Sequence, residues 1–462
     1  MSTPLKRFFW LVLLSLLTAC GPTAPALTPT ATVDLQAVYE QTLATTVAKL
    51  TQTAAPRPTP TLRPGQSPFF SMKGYTALFA KDGSLFLKVG ENPAVSLTGT
   101  DTSGFIMERM LSDDGQKIIF LRGKTSKSGS AHADVYTINA DGTNLRLLLP
   151  PEWLATLPKG TGRGAALPVF VPGTHRVLFE TSLCQSPADD APCSIGLFSA
   201  DADNGEIKTF LSPGKAQGAN PQASFTVSPD GKLIAVASVG HVDILDVDGQ
   251  LVRGGIFLYT PSTAETLYAK IFWLPDSSGL IAALPTNTYH ISAYNKDVSS
   301  YAIWRYTLAD SAAEAIPVDP SPMNLLGEAD KFLVSPDGRW LLYGGNGPSE
   351  SSIYLADLSN GHVQPLTDNP QPGFSWSPDS QRFFGQNFAG VIGERVAQVS
   401  KKSFEVLRWM DATHFICRFC GQDDTKPYVA EIAGDELVLY RLPPAMEDDA
   451  YLLILPQNKS RE

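Results

Sequence analysis

The sequence predicts an all-β protein: a single β-propeller of four-stranded blades, preceded by a signal peptide and a Pro/Thr-rich stalk. Three observations predict it. A phrase made of an apolar run, a Ser-Pro-Asp-Gly-like turn and a second apolar run recurs along residues 75–455. A second phrase, a strand-like run followed by a polar turn and another short run, recurs between those copies. No long helical pattern interrupts either one, which disfavours an α/β arrangement.

The chain begins MSTPLKRFFWLVLLSLLTAC. Lys6 and Arg7 supply a positive start, and Phe8 to Leu17 form an apolar run too short to span a bilayer, which takes about 20 residues. The run ends in Leu17-Thr18-Ala19-Cys20. These residues resemble the bacterial lipobox. The resemblance implies that residues 1–19 are removed and that Cys20 receives lipid, including palmitate-type acyl chains. The expected location is therefore the extracytoplasmic side of a membrane, with the membrane itself as a partner through the anchor. Each buried CH₂ of such chains contributes about 0.8 kcal/mol.

Residues 20–68 read as the lipidated Cys and a linker. The stretches 21–32 and 54–68 are rich in Pro, Thr and Ala and lack the apolar content for a core. Residues 34–52 carry no Pro or Gly, with Asp34 placed to cap a short helix. Its many Thr residues make it a marginal, solvated one.

The propeller is expected over 69–456, with 457–462 as a tail. The clearest copies of the first phrase are FTVSPDGKLIAVAS from Phe225, FLVSPDGRWLLYGG from Phe332 and FSWSPDSQRFFGQ from Phe374. Pro fixes φ in the turn, Asp accepts from nearby backbone N–H groups, and Gly takes positive φ. The second phrase includes DVYTINADG from Asp134 and SIYLADLSNG from Ser352. A four-stranded sheet repeating in this way is a propeller blade. Asp134-Val135-Tyr136 with Asn139-Ala140-Asp141-Gly142, and Ser335-Pro336-Asp337-Gly338 with Leu366-Thr367, resemble the TolB-type, WD-like propeller repeat. That resemblance implies a fold, not an activity, because propellers host many functions.

Fourth strands are expected to end near Leu97, Leu148, Leu211, Phe257, Val318, Leu366, Leu407 and Leu442, giving eight blades, with seven as the alternative. The first unit, from Tyr75, lacks an innermost strand, and the terminal AYLLILP is placed to supply it.

Residues 122–133, 181–194 and 285–300 read as long loops between second and third strands, and 151–166 as a long link between blades. They belong to the face opposite the SPDG turns, and long loops on a rigid scaffold commonly carry function. Candidate binding residues there are Lys124, Lys127, His132, Trp153, Lys159, Arg163, Tyr289, His290 and Tyr294.

Net charge is −10, which argues against a general nucleic-acid backbone binder. Besides Cys20 there are Cys184, Cys193, Cys417 and Cys420. Cys184 and Cys193 fit a disulfide clamping one loop. Cys417-Arg-Phe-Cys420 reads as a strained local disulfide, two free thiols or a redox pair, with a structural role favoured. The Asp-rich turns around Asp201, Asp203 and Glu206, and around Asp246 and Asp248, lack the spacing of a calcium loop and read as hairpins. No metal site or cofactor is indicated. His132 and His241 occupy one repeat position, and His175 and His414 another. With no HExxH, GxSxG or P-loop present, the expected function is non-catalytic: a binding or scaffold module for a protein or glycan. The alternative is an envelope hydrolase or lyase acting on polysaccharide or peptide at the channel mouth.

Overall fold

The computed structural model describes residues 68–99, 104–125, 131–157, 165–184, 193–211, 224–238, 240–259, 269–291, 296–319, 323–325, 332–345, 352–367, 374–385, 388–393, 397–398, 404–419, 426–433, 436–449 and 451–457. The chain divides into two units, Met1–Thr59 and Pro60–Glu462, and everything below concerns the second.

Strands come first from the alternation of apolar runs and turns. Blade 1 holds β1 (Tyr75–Lys81), β2 (Ser84–Val89) and β3 (Val95–Ser96). Blade 2 is β4 (Phe105–Leu111), β5 (Lys117–Thr125), β6 (Ala131–Asn139) and β7 (Arg146–Leu147). A single helical turn, α1 (Pro151–Leu154), leads to blade 3: β8 (Ala165–Phe170), β9 (Arg176–Cys184), β10 (Cys193–Asp201) and β11 (Ile207–Leu211). Blade 4 is β12 (Ser224–Val227), β13 (Leu233–Ser238), β14 (His241–Asp246) and β15 (Leu251–Leu258). Blade 5 is β16 (Lys270–Trp273), β17 (Gly279–Ile291), β18 (Lys296–Thr307) and β19 (Ala312–Ile316), followed by β20 (Met323–Leu325). Blade 6 is β21 (Phe332–Val334), β22 (Trp340–Gly345), β23 (Ser352–Asp357) and β24 (His362–Thr367). Blade 7 is β25 (Ser375–Trp376), β26 (Arg382–Phe384), β27 (Phe388–Val391) and β28 (Ala397–Gln398). Blade 8 is β29 (Phe404–Trp409), β30 (His414–Phe419), β31 (Tyr428–Ala433) and β32 (Glu436–Arg441), and the last strand is β33 (Leu453–Pro456).

Each sheet is antiparallel and follows chain order, so the molecule is an eight-bladed propeller. β33 pairs with β1 from Leu78↔Leu453 to Tyr75↔Pro456 and becomes the innermost strand of blade 1, as the sequence predicts. The first and last strands thus share one blade and close the ring. A second clasp lies outside: Phe69 bridges Arg441 in parallel, Phe70 N–H donates to the Arg441 carbonyl at 2.8 Å, and Arg441 N–H donates to the Pro68 carbonyl at 2.7 Å.

The core is a ring of seams. Eight buried apolar clusters each join two neighbouring blades. Consecutive residues of one strand serve opposite seams. Leu341 packs with Ile281 and Tyr301 of blade 5, and Leu342 with Trp376 and Phe383 of blade 7. Strands buried on both faces therefore read as unbroken apolar runs rather than alternating ones.

Direction alternates along each blade. The turns joining first to second and third to fourth strands emerge on one side, here the turn face. The second-to-third connections and the links between blades emerge on the other, the hairpin face.

Two sequence expectations change. The seventh fourth strand is β28 (Ala397–Gln398); Leu407 lies in β29, the innermost strand of blade 8, whose Phe404 pairs with Phe419. The connections 122–133, 181–194 and 285–300 are also not loops throughout. Their flanks continue the ladder to Thr125↔Ala131, Cys184↔Cys193 and Ile291↔Lys296. Thr, Tyr, Ile and Val in these stretches suit strands, and continued pairing satisfies backbone groups that a loop would leave to water.

Candidate functional site

The turn face is built from one motif repeated. Ser112, Ser228 and Ser377 each donate through Oγ to Oδ1 of the Asp two residues on (Asp114, Asp230 and Asp379) at 2.6, 2.7 and 2.6 Å. Ser335 makes the same bond to Asp337. Each Ser Oγ then accepts the backbone N–H five residues on, at 2.9 Å in all four turns. The turns also hold one another. Asp230 N–H donates to Ser277 Oγ of the next blade at 3.0 Å, and Asp337 N–H to Ser380 Oγ at 2.9 Å. Gly173 N–H donates to Asp113 of the preceding blade at 2.8 Å.

Ion pairs cross seams as well, between blades 2 and 3 and between blades 3 and 4. Lys117 meets Asp203 at 2.8 Å, and Arg176 meets Asp248 at 2.9 Å. Asp201 Oδ1 accepts from the N–H groups of Asp203 and Asn204, and Asp246 Oδ1 from those of Asp248 and Gln250. The acidic turns thus organise hairpins and bind cations of neighbouring blades. Among the described residues no group of three or more His, Cys, Asp or Glu side chains is arranged to hold a metal ion.

The two repeat-equivalent histidines also sit here. His175 lies between Asp203 (2.8 Å) and Asp114 (3.0 Å). Burial disfavours its charge, but the two carboxylates outweigh burial and raise its pKa. His414 meets Asp411 at 3.0 Å and Glu431 at 3.8 Å, and the Asp411 bond raises its pKa. Tyr75, arriving from blade 1, donates to Asp411. Burial works against the Asp411 charge, yet bonds from His414, Tyr75 and two backbone N–H groups hold this carboxyl far below the usual range. Burial first, then Asp411, pushes the Tyr75 hydroxyl up. Tyr440 donates to Glu431 at 2.8 Å, and the Phe70 ring lies 5.5 Å from that of His414. The cluster sits on the closure seam between blades 8 and 1.

The hairpin face is where the sequence places binding. Lys124 and His132 are opposite one another in the β5–β6 ladder, and Tyr289 and His290 in β17 oppose Val298 and Asp297. The side chains of these four lie outside the described residues, as do Lys127, Lys159, Arg163 and Tyr294 altogether. Trp153, on α1, packs edge-on against Phe198 (5.1 Å) and Phe179 (5.8 Å) and caps the seam between blades 2 and 3. His241 begins β14 on this face and lies 3.3 Å from Asp243.

The hairpin extensions dominate this face. In blade 5 the innermost strand stops pairing at Lys270↔Ala283, while β17 continues from Leu284 to Ile291. That is about 25 Å of further ladder at ~3.3 Å per residue. β20 then adds itself to β18 through Val298↔Leu325 and Ser300↔Met323. In blades 1 and 4 the same connection closes tightly, at Lys81↔Ser84 and Ser238↔His241.

Buried polar groups complete the picture. Glu180 on β9 is 8% exposed, and burial pushes its carboxyl up to about 7. Cys417 is a free thiol buried between blades 7 and 8, where burial pushes its pKa up; Cys420 lies outside the described residues. A fully buried thiol with a raised pKa is a poor nucleophile. Arg109 on β4 is 2% exposed and pairs with Asp449 at 2.7 Å. Sequence reasoning missed Asp411, Glu431, Arg109, Glu180 and the bond made by Tyr75: Tyr75 and Arg109 find their partners more than three hundred residues away, Asp411 and Glu431 join His414 only once blade 8 has folded, and Glu180 is set apart by burial alone.

No family model matches the chain, and no curated protein matches it in sequence. Solved structures match at the level of fold. TolB from Acinetobacter baumannii is 12% identical over 65% of this chain and 66% of its own, with a TM-score of 0.31. The β-propeller domain of the Trilobed protease from Pyrococcus furiosus is 11% identical over 71% of this chain and 92% of its own, with a TM-score of 0.40. Dipeptidyl peptidase 4 from Porphyromonas gingivalis is 11% identical over 82% of this chain, with a TM-score of 0.49; the match spans 60% of that protein.

Proposed function

We propose that this is a non-catalytic binding or scaffold propeller, tethered by lipid on Cys20 at the extracytoplasmic side of a membrane, that engages a protein or glycan through its hairpin face. The observation that carries the reading is the asymmetry of the two faces. Side-chain and backbone bonds between blades tie the turn face together. The hairpin face instead sends out the β5–β6, β9–β10 and β17–β18 ladders, with β20 widening the last. Ladders on a rigid ring present side chains at fixed spacing, which suits recognition. Residues 1–67, which carry the lipidation motif and stalk, lie outside the described residues, and no described helix is long and apolar enough to cross a membrane.

The test replaces residues 286–299 with a two-residue Asn-Gly turn and compares partner capture from native membranes with that of the intact protein. The shortened protein is expected to keep its unfolding midpoint within a few degrees and lose its partner. Retention of the same partner refutes the reading. Replacing Cys20 with Ser is expected to abolish incorporation of labelled palmitate; continued incorporation refutes the anchor.

A second reading, a hydrolase or lyase acting on polysaccharide or peptide, draws on Glu180. A carboxyl pushed up to about 7 is suited to general acid–base work. Activity on envelope polysaccharide or peptide that Glu180→Gln abolishes would support this reading.

A further inference from the structure

Blade 5 outgrows its own inner strand. β16 pairs with β17 only from Trp273↔Leu280 to Lys270↔Ala283, while β17 and β18 stay paired as far as Ile291↔Lys296. The entry to β16 is committed elsewhere. Ala269 N–H donates to the Tyr259 hydroxyl at 3.1 Å, and that hydroxyl donates to the Ser238 carbonyl at 2.6 Å, so the chain reaches β16 tied to blade 4. Pro285 stands where the inner pairing ends, and proline is tolerated in a strand where one edge goes unpaired. Leu284 and Pro285 are buried and Thr286 is exposed, so the hairpin leaves the body of the blade at Thr286.

Beyond that point the two edges of the hairpin differ. β20 covers the β18 side, from Ser300↔Met323 to Val298↔Leu325. On the β17 side no described strand pairs with residues 286–291. This is the inner edge, the one β16 covers lower in the blade, so it borders the channel mouth. Six residues at ~3.3 Å each give about 20 Å of edge, along which alternate residues turn N–H and C=O outward. Exposed edges are ordinarily guarded by charged side chains, by Pro or by a bulge. Residues 286–291, Thr-Asn-Thr-Tyr-His-Ile, carry no Pro, Asp, Glu, Lys or Arg, and Thr, Tyr and Ile favour strands. The one irregularity in their pairing lies at the base, between Pro285 and Thr288. The other two lengthened hairpins leave little edge: β4 follows β5 to Gly123 and β8 follows β9 to Thr181, so two and three residues remain.

We propose that the inner edge of β17 takes an extended peptide segment of a partner protein as an added strand, laid along the channel mouth and held by main-chain hydrogen bonds. The proposal rests on the hairpin-face reading and narrows its partner from a protein or glycan to a protein with an accessible extended segment. A strand edge matches the regular N–H and C=O repeat of a peptide, which a sugar chain lacks. β20 already binds in this mode within the chain: three residues arriving from outside the four-stranded path add to the opposite edge of the same hairpin. A second copy fits less well, because an edge facing its own ring is screened from the symmetric approach that two β17 strands would need.

The experiment selects linear peptides from a displayed random library on the intact protein and measures their binding by calorimetry. Selected peptides are expected to bind at least tenfold more weakly when residues 286–299 are replaced by Asn-Gly. The intact protein then receives the same peptides N-methylated at alternate residues. Methyls on one set of alternate residues are expected to abolish binding, and methyls on the other set to leave it nearly unchanged, because only one set of donors faces β17. Equal loss from both sets, or loss from neither, overturns the added strand. So does a selection that yields no peptide preferring the intact protein to the shortened one. These results leave the hairpin-face reading standing, whereas a native partner retained by the shortened protein overturns that reading as well. Dimerisation in sedimentation that the shortened protein loses assigns the edge to a second copy and overturns the proposal.

Discussion

The backbone N–H of Asp337 donates to the Oγ of Ser380 at 2.9 Å, across the seam between blades 6 and 7. Ser380 stands where Gly231 and Gly338 stand in their own turns, at φ 60°, and is 1% exposed. It accepts left-handed strain to bring a hydroxyl to its neighbour. Ser380→Ala keeps the strain and orphans the Asp337 donor, a loss of about 1–3 kcal/mol. Ser380→Gly relieves the strain while losing the bond. Denaturant unfolding is expected to rank wild type above Gly, and Gly above Ala; Ala equal to wild type contradicts the account.

Gly231 and Gly115 have nearly the same φ, +70° and +71°, in equivalent turns. A Cβ on Gly115 meets nothing within 4 Å, whereas one on Gly231 lies 2.3 Å from the Pro172 carbonyl oxygen of the preceding blade. Gly115→Ala therefore carries the left-handed penalty alone, about 1–2 kcal/mol. Gly231→Ala adds a backbone clash that only separation of blades 3 and 4 relieves. A difference of about 2 kcal/mol or more between the two variants is expected in equilibrium unfolding; equal losses would show that the seam yields freely.

At the closure seam, pH acts from two sides. The pKa of His414 is raised in the folded protein, so its contribution is complete below its ordinary value near 6.5 and is lost as pH rises through the folded value. That of Asp411 is depressed, so its contribution is present above about 4 and lost on acidification. Wild-type stability is expected to decline above pH 6.5 more steeply than that of His414→Gln. Parallel curves for the two proteins would show that His414 does not stabilise the closure seam.

Glu180 acts with the opposite chemistry and the same sign. Its folded pKa of about 7 exceeds the ordinary value, so protonation favours the native state and stability falls as pH rises from about 4.5 through 7. Glu180→Gln removes that dependence and is expected to be more stable than wild type at pH 8, by about 2 kcal/mol. A less stable Gln variant at pH 8 would mean that the carboxylate has a partner it depends on.

Much of the ring was legible because each blade announces itself locally. The Ser-Pro-Asp-Gly turn needs only neighbouring residues: Ser228 reaches Asp230, and Leu233 N–H returns to Ser228. The closing strand was legible because Tyr75 opens a unit with no inner strand before it and Leu453–Pro456 is an apolar run with no unit after it. What sequence could not show is the content of the seams. Arg109 meets Asp449, and Tyr75 meets Asp411, across more than three hundred residues. Nothing local distinguishes those residues from solvated ones. The blade 7 boundary slipped because β25, β26 and β28 are two or three residues long, too short for a period to register.

The β9–β10 ladder bears on the cysteines. Its register runs unbroken from Asp201↔Arg176 to Cys193↔Cys184, so the two cysteines are direct cross-strand neighbours. Opposed Cα atoms in an antiparallel pair lie about 4.5–5.5 Å apart, within the range a disulfide spans. If the chain is exported, as proposed above, the pair is expected to oxidise, adding roughly 2–3 kcal/mol. Cys417 gives an internal control, being a free thiol shielded by the core until unfolding. Alkylation of protein purified and unfolded without reductant is expected to label Cys417 and spare Cys184 and Cys193, with mass spectrometry recovering the latter two as one linked peptide pair. Reduction should then expose both and lower the unfolding midpoint. Labelling of all three before reduction would mean that the register brings the cysteines together without joining them, and that the blade 3 hairpin is held by its ladder alone.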